Sequence, residues 1–157
     1  MANSHLHLAP APAAGACAIT AAREVAGRHP IRVVLADDHA FMRHGLRLLL
    51  DGEEGLDVVE EAHDLSSAIA SVLRVRPAVL VLDLRMGDGS GIQTIARLRE
   101  KAPETQIVAL SMSADRRFAQ EALRSGAVGF VLKDLADAEL PEAIRAAARG
   151  EQYASRM

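Results

Sequence analysis

The chain has 157 residues, of which 50% are hydrophobic but only 3% are aromatic. This length is enough for one domain with a sizeable core, which must consist mainly of aliphatic side chains. The formal net charge of −3 at pH 7 argues against a basic DNA-binding module. The single cysteine, Cys17, cannot form an internal disulfide, which favours a reducing, cytoplasmic setting. No apolar run reaches the roughly 18 residues of a membrane span.

The first 30 residues differ in composition from the rest. They are rich in Ala and Pro, show no clean periodicity, and contain no Lys or Arg before Arg23, so they do not resemble a signal peptide. His5 and His7 lie in this stretch, and we interpret them as incidental rather than as metal ligands. We expect residues 1–30 to form a flexible extension.

From residue 31 onward, apolar strands alternate with segments of helical periodicity. The sequence predicts a strand at 31–36, followed by a helix whose apolar residues between 42 and 50 share one face. A second strand at 56–62 precedes a second helix, which Pro77 ends.

The remaining chain repeats this pattern three times. A strand at 78–83 and a helix closed by Pro103 come first, and a strand at 106–111 and a helix closed by Gly126 follow. A fifth strand at 128–133 leads to a last helix that ends at Gly150. Pro141 lies near the predicted start of this helix, where a proline is tolerated only within the first turn.

The order of elements is (βα)5. Four of the five strands show little polar alternation, so we expect both faces of a parallel sheet to be covered by helices. With right-handed crossovers, this predicts an α/β, doubly wound, five-stranded sheet of order 2-1-3-4-5, which is the flavodoxin-like arrangement.

Polar residues end four of these strands, at the sheet edge where ligands bind in such folds. The first strand ends in Asp37 and Asp38, the third in Asp83, the fourth in Ser111 and the fifth in Lys133. A single acid at a strand end is usually a solvated loop residue, but five polar groups from four strands rarely coincide by chance. Three carboxylates beside one ammonium group call for a further cation, and Mg²⁺ prefers such oxygen ligands together with a phosphate oxygen.

The glycine-rich stretch GDGSGI (87–92) does not indicate a dinucleotide site. The third glycine of G-x-G-x-x-G would fall at residue 92, which is Ile, and the loop follows the third strand rather than the first. The sequence therefore favours a site for Mg²⁺ and a phosphoryl group over a nucleotide-binding fold.

Four stretches resemble the receiver domain of two-component response regulators, in family order and spacing: LADDH (35–39), LDLRM (82–86), ALSM (109–112) and EALRSGAVGFVLKD (121–134). The resemblance covers residues 31–152. Because Asp rather than Pro follows Lys133, it points to the NarL/FixJ-type subgroup, in which a helix-turn-helix domain normally follows the receiver.

The resemblance implies roles for the residues of the phosphorylation site. Asp83 matches the phospho-accepting aspartate, and Lys133 the lysine that pairs with the phosphoryl group. Asp38 matches the carboxylate that binds Mg²⁺ directly, Asp37 the one that acts mainly through water, and Arg85 the position whose backbone carbonyl ligates the metal.

Two further residues match the switch that reports phosphorylation. Ser111 matches the switch hydroxyl, and Phe130 the switch aromatic, which would turn inward and change the surface of helix four, strand five and helix five. Because Phe130 lacks the hydroxyl of the Tyr common at this position, we expect a softer switch. Gly87 replaces a usual proline, so we expect a more mobile loop. We interpret Asp88 as solvated and irrelevant, with an influence on metal or water access as the alternative.

The resemblance also implies partners. These are a sensor histidine kinase, a second copy in a homodimer formed on phosphorylation, and DNA only through an output domain, because residues 153–157 form a tail too short for one. The domain is expected to work in the cytoplasm and to catalyse only its own phosphorylation and dephosphorylation. Two alternatives remain: a stand-alone receiver that acts by protein–protein interaction, and a small Mg²⁺-dependent phosphohydrolase. Arg85 argues against the latter, since phosphatases with an Asp nucleophile usually carry a second acid at that position.

Overall fold

The computed structural model describes residues 29–157, so Cys17 and nearly all of the predicted extension lie outside the described residues. Within this range the strands are β1 (Ile31–Ala36), β2 (Leu56–Ala62), β3 (Val79–Asp83), β4 (Gln106–Ser111), β5 (Gly129–Leu132) and β6 (Tyr153–Ala154). The α-helices are α1 (Ala40–Asp51), α2 (Leu65–Val75), α3 (Gly91–Lys101), α4 (Arg116–Ser125) and α5 (Ala136–Ala148). None of these helices is both long and apolar enough to cross a membrane.

All strand pairs are parallel, and the strands lie in the order β2-β1-β3-β4-β5-β6. The predicted order of the first five strands is confirmed. The sheet also has a sixth strand, of two residues, that the sequence did not predict: Tyr153 and Ala154, within the expected tail at 153–157, pair with Gly129 and Phe130 of β5. A strand at a sheet edge has unpaired backbone groups, and β6 satisfies those of β5.

Alternate residues of the central strands enter two separate cores, one on each face of the sheet. Val33 and Leu35 of β1 pack with the apolar faces of α1 and α5. Val34 and Ala36 pack on the opposite face, with the apolar residues of α2, α3 and α4. This division confirms the doubly wound architecture, and it explains why the central strands have apolar residues at successive positions.

The connection from β5 to the last helix differs from the prediction. β5 ends at Leu132, and Lys133 begins a 3-10 helix, Lys133–Leu135, that runs directly into α5. Helix α5 therefore starts earlier than its periodicity indicated, and Pro141 lies in its second turn. Pro141 cannot donate a hydrogen bond there, but it is buried together with the apolar face of α5, and this burial offsets the loss.

Candidate functional site

The carboxylates predicted at the strand ends meet at the carboxyl edge of the sheet. Asp83 is the last residue of β3 and lies opposite Leu110 of β4. Asp37 directly follows β1, and its amide donates to the Ala62 carbonyl of β2 at 3.1 Å. Asp37 and Asp83 are both buried, whereas Asp38 is exposed. Because β1 and β3 are adjacent in the sheet, their ends bring these acids side by side.

Lys133 reaches this pair of acids from the first residue after β5. Its Nζ lies 2.9 Å from Oδ2 of Asp37 and 2.9 Å from Oδ2 of Asp83. Burial by itself would lower the pKa of the Lys133 ammonium, but the hydrogen bonds and negative charges of Asp83 and Asp37 outweigh burial and raise it. Lys133 is therefore charged near neutral pH, and its positive charge lies between the two buried carboxylates.

The pocket contains more negative charge than this ammonium can balance. One ligand atom from each of Asp37, Asp38, His39 and Asp83 lies within 4.8 Å of the others. Oδ2 of Asp37 is buried, and among residues 29–157 the Lys133 ammonium, which it shares with Asp83, is the one cation in contact with it. A buried anionic oxygen that shares a single ammonium, among further carboxylates, fits a hard divalent cation such as Mg²⁺.

The sequence did not predict that His39 and Arg43 would take part in this site. The His39 amide donates to Oδ1 of Asp37 at 2.8 Å, and its Nδ1 lies 3.0 Å from Oδ1 of Asp38. Arg43 donates to the Asp37 carbonyl at 2.5 Å, and its Nε lies 3.3 Å from Oε1 of Glu61. The available signals were the position of His39 directly after two acids and of Arg43 one helical turn later.

The loop that follows Asp83 is fixed at both ends. Its Leu84 amide donates to the Leu110 carbonyl, and its Arg85 amide donates to Oδ1 of Asp83, both at 3.0 Å. At the other end, Gly91 lies so close to Leu84 that a Cβ on Gly91 would be 2.6 Å from the Leu84 Cα. The Arg85 guanidinium carbon lies 6.0 Å from the centre of the Phe118 ring, so this side chain extends towards α4.

Asp88, in the middle of this loop, contradicts the prediction that it has no role. Its carboxylate accepts hydrogen bonds from the amides of Leu65 at 2.9 Å and Ser66 at 3.2 Å, at the start of α2. The bond from Leu65 is the main cause of a lowered pKa of the Asp88 carboxyl. Asp88 is exposed, as predicted, but it connects the loop to a neighbouring helix.

The two predicted switch residues lie beside the carboxylates without contacting them. Ser111 ends β4 and is buried, and its Oγ accepts a hydrogen bond from the Ser113 amide at 3.0 Å. Phe130 in β5 is fully buried and packs in the core that α4 covers. The inward position expected for this ring in the switched state is thus occupied in this structure, and its exchange with an outward position stays a prediction.

Comparison with known proteins agrees with this arrangement. The sequence matches the family described as the response regulator receiver domain over residues 33–145. Oxygen regulatory protein NreC of Staphylococcus epidermidis is 40% identical over 124 residues, a match that covers 78% of this chain and 57% of that protein. NreC of Staphylococcus carnosus is 36% identical with the same coverage. The chain thus spans little more than half the length of these curated relatives.

Solved structures show the same fold. The signal receiver domain of NarL from Mycobacterium tuberculosis has a TM-score of 0.75 and 32% identity, and the match covers 79% of this chain and 100% of that one. The isolated receiver domain of RcsB from Salmonella enterica serovar Typhimurium has a TM-score of 0.74 and 31% identity, with 81% and 94% covered. From its fold, its pocket and these similarities, we conclude that the chain belongs to the response regulator receiver domain family, among receivers of the NarL type.

Proposed function

We propose that this signalling domain accepts a phosphoryl group on the carboxylate of Asp83. The observation that supports this most strongly is how Asp83 is held. The residue is buried at the end of a central strand, one carboxylate oxygen accepts from the Arg85 amide, and the other lies 2.9 Å from Lys133. Phosphoryl transfer depends mainly on positioning and on charge stabilisation, and this carboxylate has both.

In the proposed reaction, a carboxylate oxygen of Asp83 attacks the phosphorus of a phosphohistidine on a sensor histidine kinase. The new P–O bond gives an acyl phosphate, and the P–N bond breaks with its electron pair returning to the imidazole, which then takes up a proton. The Lys133 ammonium, already next to Asp83, is placed to neutralise charge on the transferred phosphoryl oxygens.

The three acids of the pocket would hold Mg²⁺. We propose that Asp38 and Asp83 bind it directly together with the Arg85 carbonyl, and that Asp37 acts mainly through water. When bound, Mg²⁺ supplies positive charge that stabilises the phosphoryl oxygens during transfer. The clustering of Asp37, Asp38 and Asp83 around a single ammonium supports a further cation at this place.

The phosphorylated state would be reported by Ser111 and Phe130. The Ser111 hydroxyl accepts from the Ser113 amide at 3.0 Å and donates to the Ser113 carbonyl at 3.5 Å, and the second bond must break before the hydroxyl can donate to a phosphoryl oxygen. Movement of this strand end changes the wall of the space that Phe130 fills, and so alters the surface formed by α4, β5 and α5. We propose that this surface mediates homodimer formation.

We propose that the receiver works in the cytoplasm and that, if it is part of a longer regulator, it controls a DNA-binding output domain. The support is the similarity to NreC and to RcsB, which has been solved in complex with DNA. A stand-alone receiver acting through protein–protein contacts is the alternative.

The proposal is tested by incubating the chain with Mg²⁺ and acetyl phosphate and measuring its intact mass. Wild type should gain one phosphate, and Asp83→Asn none. Asp57→Asn, which changes an exposed acid on β2 away from the pocket, is the matched control and should behave as wild type. An adduct on Asp83→Asn contradicts the proposal. Repeated turnover of acetyl phosphate without an adduct, at a rate too fast for dephosphorylation of an acyl phosphate, favours a phosphohydrolase.

A further inference from the structure

In the loop between β3 and α3, residues 84–90, Leu84 and Met86 are buried in the core, whereas residues 87–89 are exposed. The first residues of the loop are fixed by the Leu84 and Arg85 amides, and its last by the contact of Gly91 with Leu84. Between these anchors lie Gly87 and Gly89, and Gly89 has a φ of +153°, which side-chain-bearing residues rarely adopt. Two glycines leave the backbone free to take many conformations, so the geometry here needs an external contact.

That contact is provided by the start of α2. The first amides of a helix have no partner within the helix and must donate elsewhere. Asp64, the N-cap, accepts from the Ser67 amide at 2.6 Å, and Asp88 accepts from the Leu65 and Ser66 amides through its two carboxylate oxygens. Two acids from different parts of the chain thus accept hydrogen bonds from the amides of the first turn of α2.

These two acids make similar hydrogen bonds, but only Asp88 connects the helix to a distant part of the chain. Asp64 directly precedes the helix that it caps, so its bond to the Ser67 amide is local. Asp88 is 23 residues away from Leu65 in sequence, so its bonds join the loop after the phosphorylation site to α2. Asp88 is the third residue after Arg85, whose carbonyl belongs to the proposed metal site.

We propose that Asp88 is a positioning residue, which holds the β3–α3 loop against α2 and so keeps the Arg85 carbonyl in place for Mg²⁺. The inference rests on the proposed function, since it concerns the same metal site. Groups that orient metal ligands without touching the metal commonly change metal affinity by about 10- to 100-fold when they are removed. Gly87 does not restrict the backbone of this loop. The hydrogen bonds of the Asp88 side chain restrict it instead.

The test compares Asp88→Ala with Asp64→Ala. Each variant removes one carboxylate from the first turn of α2, and both should lower the melting temperature. Only Asp88→Ala releases the loop. We therefore expect it to raise the Mg²⁺ dissociation constant, measured by isothermal titration calorimetry, by about tenfold, while Asp64→Ala leaves the constant unchanged. In the absence of Mg²⁺, amide hydrogen exchange at Leu84 and Arg85 should accelerate in Asp88→Ala and not in Asp64→Ala.

The possible outcomes separate this inference from the proposed function. If wild type binds Mg²⁺ and forms the phosphate adduct, but both variants keep its affinity and its loop exchange, the inference fails and the proposed function stands. Equal weakening of Mg²⁺ binding by both variants also overturns it, because the effect then comes from the helix and not from the loop. Absence of Mg²⁺ binding and of the adduct in wild type overturns both.

Discussion

Replacement of Lys133 by methionine tests the electrostatics of the pocket most directly. Methionine keeps an unbranched side chain of similar length but removes the ammonium that lies 2.9 Å from both Asp37 and Asp83. Both carboxylates are almost completely shielded from solvent, with side-chain exposures of 0% and 3%. Without the cation, the ionised forms of two adjacent buried acids repel each other and are poorly solvated.

The size of the effect follows from this burial. Removing one member of a buried ion pair costs about 3–5 kcal/mol because a charge is left without compensation. The Asp38 side chain, 32% exposed, admits water to one side of the pocket, so we expect the lower end, about 3 kcal/mol near pH 7. The raised pKa of Lys133 means that wild type loses the lysine's contribution only in strongly alkaline solution.

The assay is urea unfolding followed by far-ultraviolet circular dichroism, since the chain has no tryptophan. The double variant Lys133→Met with Asp83→Asn is the control, and it should recover part of the loss because one buried charge is gone. A loss below about 1 kcal/mol near pH 7, with an unchanged dependence on urea concentration, would refute the reasoning, because the acids would then be adequately solvated without the ammonium.

Three further predictions concern other parts of the fold. Gly91→Ala places a Cβ 2.6 Å from the Leu84 Cα, so urea unfolding should show a loss of about 1–3 kcal/mol; wild-type stability would show that the backbone yields freely. Ser155→Ala removes a hydroxyl that accepts from a β5 amide, which should cost about 1 kcal/mol and speed hydrogen exchange in β6; unchanged exchange would contradict this role. Hydrogen bonds from α2 lower the pKa of Asp64 and Asp88, so their stabilisation is complete above about pH 4 and is lost as pH falls through the lowered values. The difference in melting temperature between wild type and Asp88→Asn should therefore narrow in acid, and a constant difference would disprove the linkage.

The strands and their order could be predicted from the sequence because each central strand is a continuous apolar run. A continuous apolar run between two helices has few interpretations other than a strand covered on both faces. Parallel strands then place their terminal acids at the same edge of the sheet. The meeting of Asp37, Asp83 and Lys133 at one edge is a consequence of chain order alone. Strand β6 could not be predicted, because two residues show no periodicity and they join the sheet through their backbones.

The errors at the site arise from contacts between distant parts of the chain. Nothing near Asp88 shows that its carboxylate meets amides 22 and 23 residues earlier. Arg43 binds a backbone carbonyl, an acceptor that every residue carries and that no pattern identifies.

The placement of Lys133 at the start of a 3-10 helix, and not on the strand, has a mechanical consequence. The 3-10 turn continues without a break into α5, so the ammonium in the pocket and the axis of the last helix belong to one stiff segment. A shift of the Lys133 backbone towards a new anion would therefore also shift the start of α5. This route to the last helix does not involve the serine at the end of β4.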